Sequence, residues 1–411
     1  MREKKLGPLL LSGLMTGPIL GSGIILLPPM VHDIAGDYAI FAWLLMMGTG
    51  FLFAWIFAKL SIEYPNDAGV AYAAEKAFGP YIRNLAVFYF IMAASFGPAA
   101  VLMTAGEYIQ SLAPDAPFSA EAYGLALFII CLIVLCFDIS FVGKVSFVCS
   151  SAAAVVLLGG SLTSIPYFRE GPLVDGSFQI GDFGRGMLLL FWALVGWEMI
   201  GNYSMEVKDR KKTITRAVIL SSLMVTVIYL ATAGAAQWID PGRFESGRLK
   251  LAMMLTPLFG PFALPVIAAL TSVLCLSTYL LVVGGASRLI SSQARGILAC
   301  RTKDNKPLAA LCLIFIIHAI VFGCLFYQLI NVETLVAIAN AFFICNSLCG
   351  LAAAYRLLPG LVYRVVCVLL ICCFALLLLF SSPWILCFMV LMTACFICRN
   401  GHAVKQGHGQ L

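Results

Sequence analysis

The stretch Gly17-Pro18-Ile19-Leu20-Gly21-Ser22-Gly23-Ile24 sits inside an apolar run that extends over residues 7–30. In a helix interior Gly costs about 1 kcal/mol and Pro about 3 kcal/mol relative to Ala. Gly21, Ser22 and Gly23 after Pro18 therefore make a poor continuous helix and a good place to unwind. A second run, Phe191-Trp192-Ala193-Leu194-Val195-Gly196-Trp197-Glu198, followed by Gly201 and Asn202, carries the same weakness far along the chain. Close packing of small residues between helices explains one such motif equally well. Two at matching places call for another explanation.

The surrounding composition fixes the setting. Of 411 residues, 62% are apolar and 11% charged, against about 45–50% and about 25% in soluble domains. A disordered chain, a nucleic-acid binder and a secreted disulfide scaffold are excluded. Membrane-crossing chains are helices or closed barrels, because only these satisfy their backbone polar groups in lipid. Barrel strands would read as alternating segments of about ten residues. This chain shows long apolar runs instead, such as Ile40 to Leu60, Ala217 to Trp238 and Leu308 to Tyr327. It reads as an all-α integral membrane protein.

Twelve spans are expected, at 7–30, 38–60, 84–112, 122–140, 145–166, 184–204, 217–238, 262–292, 307–327, 333–356, 361–380 and 383–398. With the N-terminus inside, 21 of the 26 Lys and Arg fall on the inner side, and Arg169, Arg185, Arg243, Arg248 and Lys250 on the outer. Inner loops are rich in Lys and Arg, so both termini are expected in the cytoplasm. The net charge of +6 thus reflects topology, and no nucleic-acid partner is expected. The basic start followed by an apolar stretch resembles a signal peptide but lacks a small-residue cleavage site. Pro28-Pro29 is expected to end this uncleaved first helix.

If spans 1–5 and 6–10, residues 7–166 and 184–356, are two copies of one unit, each copy opens on a broken helix. Five is odd, so the second copy enters from the opposite side and the repeats are inverted. Interrupted spans at matching places in two halves point to a transporter's central site. Unwound backbone offers N–H groups that attract an anion and carbonyls that attract a cation. A zwitterion such as an α-amino acid has one of each. Spans 11 and 12, residues 361–398, fall outside the repeat and read as a lipid-facing or homodimer surface. Residues 399–411 form a cytoplasmic tail of a single transmembrane domain, 1–411.

Nearly all twenty carboxylates fall in loops or near span ends; Glu198 alone sits well inside a span. An ionisable group there costs about 2.5–3.5 kcal/mol even on lenient scales. It either locks helix packing as a protonated hydrogen-bond donor or lines a substrate or proton pathway. His32 is expected in an outer loop, and the lone His318 reads as a packed helix residue. The fifteen cysteines lie largely within spans, where a thiol acts as a small apolar filler. No metal spacing is present, and no cofactor is implied.

At these residues the chain resembles the amino acid–polyamine–organocation (APC) superfamily. The likeness rests on Gly21-Ser22-Gly23-Ile24 with Pro28, and on the loop Glu63-Tyr64-Pro65-Asn66-Asp67-Ala68-Gly69-Val70-Ala71-Tyr72 closing at Phe78-Gly79. It continues through Phe191 to Glu198, Glu206-Val207-Lys208-Asp209 and Ala286-Ser287-Arg288-Leu289-Ile290. Within the superfamily the chain is similar to bacterial exporters of methionine and branched-chain amino acids, over Ile19 to Pro28, Phe191 to Gly196, Ser292-Gln293-Ala294 and Ala339-Asn340.

The resemblance implies a LeuT-like 5+5 inverted repeat with discontinuous helices 1 and 6 and two extra C-terminal helices, in the bacterial inner membrane. It implies that Gly21, Ser22 and Gly23 hold the substrate carboxylate, and that carbonyls of Ile19, Trp192 and Val195 receive the ammonium beside Gly196. The Trp192 ring would gate passage, and Glu198 would sense protons or gate. Spans 1, 2, 6 and 7 would rock against the rest. One departure stands out. Several proton-coupled members place a Lys midway along the fifth helix; here that stretch is Ser150 to Val155, and Lys144 lies about two turns earlier. Ser277 and Thr278 could offer oxygens to sodium, though such residues more often bond their own helix. Coupling to H+ or Na+ stays open.

A dibasic substrate would want an anionic anchor besides Glu198, and an acidic one a mid-span Arg or Lys. Neither is present, which favours neutral hydrophobic amino acids: methionine, leucine, isoleucine and valine. Outward transport follows from the likeness alone. An antiporter or uptake permease for a cationic amino acid or polyamine is the alternative within the superfamily. A membrane enzyme would need convergent nucleophile, base or metal groups. A channel would show charge rings, and an ATP-driven pump a P-loop.

Overall fold

The computed structural model describes residues 7–65, 69–135, 139–198, 207, 209–244, 250–294, 296–302 and 307–407. Among them regular structure is helical, apart from one isolated bridge between Phe168 and Ile239. Gly201, Asn202, Glu206, Lys208 and the Asn66-Asp67-Ala68 part of the loop motif lie outside the described residues.

The first apolar run forms two helices, α1 (Pro8–Leu20) and α2 (Gly23–Ala35). Between them Gly21 adopts φ 32° and ψ −136°, a backbone that side chains disfavour and that ends the helical ladder. Two expectations need correction here. Pro28 and Pro29 do not end the helix but lie inside α2, and His32 sits in its last turn rather than in a loop. Proline's fixed φ is itself helical. The lost bonds are offset because Leu26, Leu27, Pro28 and Val31 are buried against neighbouring helices.

The chain continues as α3 (Ala39–Glu63), α4 (Gly69–Phe78), α5 (Pro80–Gln110), α6 (Ala120–Leu135) and α7 (Ile139–Ser164). Next come α8 (Ile180–Leu190), α9 (Arg210–Trp238), α10 (Lys250–Phe259) and α11 (Ala263–Gln293). The last four are α12 (Leu308–Phe326), α13 (Val332–Leu357), α14 (Leu361–Leu378) and α15 (Pro383–Gly407). Among the described residues, seven helical stretches are long and apolar enough to cross a membrane. α1 and α8, at 13 and 11 residues, are too short to cross alone because a break truncates each. Apolar segments Ala120–Leu135, Ser151–Tyr167 and Pro383–Cys398 are shorter also.

α4 and α10 occupy stretches expected to be loops. In α4 the buried Val70, Ala73, Ala74 and Ala77 recur at helical spacing. α10 lies over Gly160 of α7, where Leu255 fills the space a side chain would take. Both are too short for a span and were legible only by that spacing.

Two packed groups emerge. α1, α2, α3 and α8 gather around one another and α9, while α5 packs against α4, α6, α11 and α13. Aromatic contacts tie α14 to the first group: Phe374 meets Phe53 at 5.4 Å and Phe191 at 4.9 Å. The opposite face of α14 exposes Val365, Leu369 and Leu376, as a helix facing lipid does.

A polar knot joins the loops at the α2–α3 end of the bundle. Arg169 donates to the Asp37 carboxylate at 2.7 Å, and the Asp175 amide donates to the other oxygen at 2.8 Å. Gln237 donates to the Asp37 carbonyl at 2.8 Å, and Lys250 pairs with Asp33 at 2.7 Å. Asp37 is 9% exposed, whereas Glu170, which pairs with Arg243, is 92% exposed. Removing a shielded, doubly bonded carboxylate costs more than removing an exposed one. Asp37→Ala is therefore expected to lower the melting temperature of the purified protein by several degrees, and Glu170→Ala to leave it unchanged. Equal shifts would contradict this account of the knot.

Candidate functional site

In a continuous helix the carbonyls of Ile19 and Leu20 would accept from amides one turn ahead. The break at Gly21 frees them. Tyr229 of α9 reaches across with its hydroxyl 2.9 Å from the Ile19 oxygen and 3.3 Å from the Leu20 oxygen. On the other side of the break, the Ser22 amide donates to Thr278 Oγ1 of α11 at 3.2 Å. The Gly21 amide closes the last turn of α1 on Gly17 at 2.9 Å, and Gly23 opens α2. The Ser22 hydroxyl is fully buried and has no hydrogen-bond partner within the protein.

The second break has the same construction. α8 tightens into a 3-10 turn over Phe191–Leu194, Val195 turns extended, and Gly196 takes φ 117°. The Gly196 amide donates to Glu198 Oε2 at 3.0 Å. The buried Glu198 carboxyl therefore folds back on its own turn and closes it. Asn340 of α13 donates to the Leu188 and Leu189 carbonyls at 2.9 and 3.0 Å. Its own oxygen is buried and has no partner within the protein.

The two breaks meet. A side chain built on Gly196 would lie 3.1 Å from Ile19 Cγ1, and one on Gly23 would lie 3.3 Å from Trp192 Cδ1 and 2.7 Å from the Tyr229 hydroxyl. Ile19, Gly23, Trp192 and Gly196 thus form one cluster, with Ser22, Val195 and Glu198 adjoining. The Trp192 ring lies across Gly97 of α5, where an added Cβ would come within 2.6 Å of it. Phe343 meets the ring edge-on at 6.0 Å, and 8% of Trp192 is exposed. The ring therefore fills the seam between the two helix groups.

Of the backbone groups expected to hold a substrate, several already bond within the protein. The Ile19 carbonyl accepts from Tyr229, the Trp192 carbonyl from the Val195 amide at 3.2 Å, and the Ser22 amide is held by Thr278. A carbonyl has a second lone pair, so Ile19 and Trp192 retain capacity for an ammonium. Thr278 is engaged with the break rather than with its own helix alone, although its hydroxyl also donates to the Leu274 carbonyl at 2.9 Å.

Sequence reasoning missed Tyr229, Gly97 and the bonding role of Asn340. Each acts across more than ninety residues of chain, and none stands out in its own apolar stretch. His318 lies outside the site: its Nε2 faces the Ala94 carbonyl at 3.1 Å and its Nδ1 the Tyr279 hydroxyl at 2.7 Å. A carbonyl only accepts, so Nε2 carries the proton and Nδ1 accepts from Tyr279. Both nitrogens are satisfied, as in a packed histidine. The Lys144 side chain lies outside the described residues.

Tyr229→Phe removes the hydroxyl that bonds both freed carbonyls of α1 while keeping the ring stacked 4.9 Å from Trp43. An orphaned buried acceptor costs about 1–3 kcal/mol. The variant is expected to fold but to lose about tenfold or more in transport rate, a change of about 1.4 kcal/mol or more. A wild-type rate in proteoliposomes would contradict the role given to Tyr229.

The amino acid permease profile matches residues 6–408. The L-methionine/branched-chain amino acid exporter YjeH of Escherichia coli strain K12 is 24% identical over 366 residues, covering 85% of each chain. The uncharacterized amino acid permease YecA of Bacillus subtilis is 22% identical over 363 residues, covering 84% of each. The cadaverine/lysine antiporter of Escherichia coli strain K12 is 25% identical over 300 residues, 69% of this chain and 66% of that protein. These relatives are named as transporters or permeases, not as enzymes. With its apolar spans and this match along nearly its whole length, the chain belongs to the amino acid permease family of the APC superfamily, as a multi-pass membrane protein.

Proposed function

We propose that this protein is a secondary active transporter that exports neutral hydrophobic L-amino acids, methionine, leucine, isoleucine and valine, by alternating access. The observation that carries this reading is the meeting of two helix breaks at Ile19, Gly23, Trp192 and Gly196. The start of α2 offers amides and the Ser22 hydroxyl to a carboxylate. Carbonyls of Ile19, Trp192 and Val195 face the ammonium. The site lies among Ile, Leu, Trp and Phe side chains, which suits an apolar substrate side chain. The kinship with a methionine and branched-chain exporter supports both substrate class and direction.

In this reading the twelve spans form a 5+5 inverted repeat, 7–166 and 184–356, with both termini in the cytoplasm. α1, α2, α3, α8 and α9 rock against the group around α5, and Trp192 swings off Gly97 to admit substrate. No cofactor takes part beyond a coupling ion, H+ or Na+.

A second reading, a carrier of cationic amino acids or diamines, is favoured by the kinship with the cadaverine/lysine antiporter. It would need an anionic anchor. Among the described residues of the cluster only Glu198 could serve, and its carboxyl is buried and turned back onto the Gly196 amide of its own turn, which favours the neutral class.

Counterflow in proteoliposomes separates the two. Vesicles preloaded with methionine or leucine are expected to accumulate labelled methionine, and vesicles preloaded with arginine are not. Arginine-driven accumulation would replace the neutral reading with the cationic one. Gly23→Val places a branched side chain against the Tyr229 hydroxyl, 2.7 Å from the new Cβ. It is expected to leave less than about a tenth of the transport rate with expression intact. Glu198→Gln retains an oxygen that accepts from Gly196 but cannot titrate. Transport by this variant is expected to lose its pH dependence with little change in substrate affinity, and an unaltered pH profile at full rate would return Glu198 to a packing role.

A further inference from the structure

We infer that the groove between α4, α13 and α14 is a binding site for an anionic phospholipid. The groove encloses about 550 Å³ and is lined by Phe78, Tyr355, Arg356, Arg364, Val368 and Ile371. It lies apart from the helix breaks, and nothing in the transport reading uses it.

Its two arginines flank the tight turn at Gly360, which takes φ 111° between the end of α13 at Leu357 and the start of α14 at Leu361. Arg356 lies over the Phe78 ring at 5.3 Å and Arg364 over the Tyr355 ring at 5.9 Å. Among the described residues neither guanidinium has a carboxylate partner, whereas Lys59 near the same end of the bundle pairs with Glu63 at 2.6 Å. These ring contacts hold each guanidinium near the mouth while leaving the N–H forks free to donate. Such a fork matches phosphate oxygens, and two of them around one mouth match one phosphodiester.

The wall below the arginines is apolar. Arg364, Val368 and Ile371 are four and three residues apart and share one face of α14. Val368 lies about 6 Å and Ile371 about 10 Å along the helix from Arg364, at 1.5 Å per residue. On the adjoining face α14 presents exposed Val365, Leu369 and Leu376. Charge at the mouth and hydrocarbon along the wall is the order of groups in a phospholipid. A soluble phosphate would use only the mouth. Basic pockets between membrane helices on the inner side recognise anionic headgroups in the same way.

The full chain, purified in a neutral detergent, provides the test. Dioleoyl phosphatidylglycerol is expected to raise its melting temperature saturably and to remain bound in native mass spectrometry. Dioleoyl phosphatidylcholine, inorganic phosphate and glycerol phosphate are expected to do neither. The double variant Arg356→Gln/Arg364→Gln should bind phosphatidylglycerol at least about tenfold more weakly, since two charge-assisted contacts are lost. Ile371→Trp, which fills the wall and spares both arginines, should weaken binding as well and guards against misfolding of the double variant. Equal retention of phosphatidylcholine, a full effect from phosphate alone, or undiminished binding in either folded variant would overturn the proposal.

Discussion

In hydrocarbon every amide and carbonyl released by a helix break must find a partner inside the protein, because no water competes for it. This chain breaks two helices beside one another, at Gly21 and at Gly196, and the rest of the site follows from how the released groups are satisfied. Tyr229 reaches the Ile19 and Leu20 carbonyls, Thr278 takes the Ser22 amide, Asn340 donates to the Leu188 and Leu189 carbonyls, and Glu198 accepts from the Gly196 amide. Three of these four partners come from other helices, α9, α11 and α13. The breaks are therefore held in place by the surrounding bundle.

In the proposed alternating-access mechanism, that arrangement lets the site change state. Each of these bonds is a single contact between elements of the two packed groups or within the moving one, worth about 0.5–1.5 kcal/mol net. A substrate that offers a carboxylate and an ammonium can replace such bonds with stronger, charge-assisted ones. Ser22 Oγ and Asn340 Oδ1, both buried and unpartnered within the protein, lie at the two breaks where such replacement begins. Trp192, pressed onto Gly97 and beside Gly23, fills the seam until the groups part. The knot around Asp37 ties the loops at the α2–α3 end.

The breaks themselves were legible in the sequence, because Gly and Pro inside an apolar run carry a local cost that needs no knowledge of neighbours. Membrane class, the long apolar helices and the placement of His318 as a packed residue were legible on similar grounds; α4 and α10 were not. The partners of the breaks were not. Tyr229, Thr278 and Asn340 sit in apolar stretches where a tyrosine, threonine or asparagine has many uses, and their separation from the breaks runs from 151 to 256 residues. Nor was the glycine at 97 legible, since its purpose is the space it leaves for a ring from another helix. Pro28-Pro29 misled for the opposite reason: its local signal was strong, but burial of α2 outweighed it.

The central claim is that one substrate bridges the two breaks. A structure of the protein bound to methionine tests it most directly. The account predicts the carboxylate within hydrogen-bond reach of the Gly23 amide and Ser22 Oγ, the ammonium at the Ile19 and Val195 carbonyls, and Trp192 moved off Gly97. Methionine bound elsewhere, with the bonds of Tyr229 and Thr278 to the first break unaltered and Trp192 still on Gly97, would contradict it.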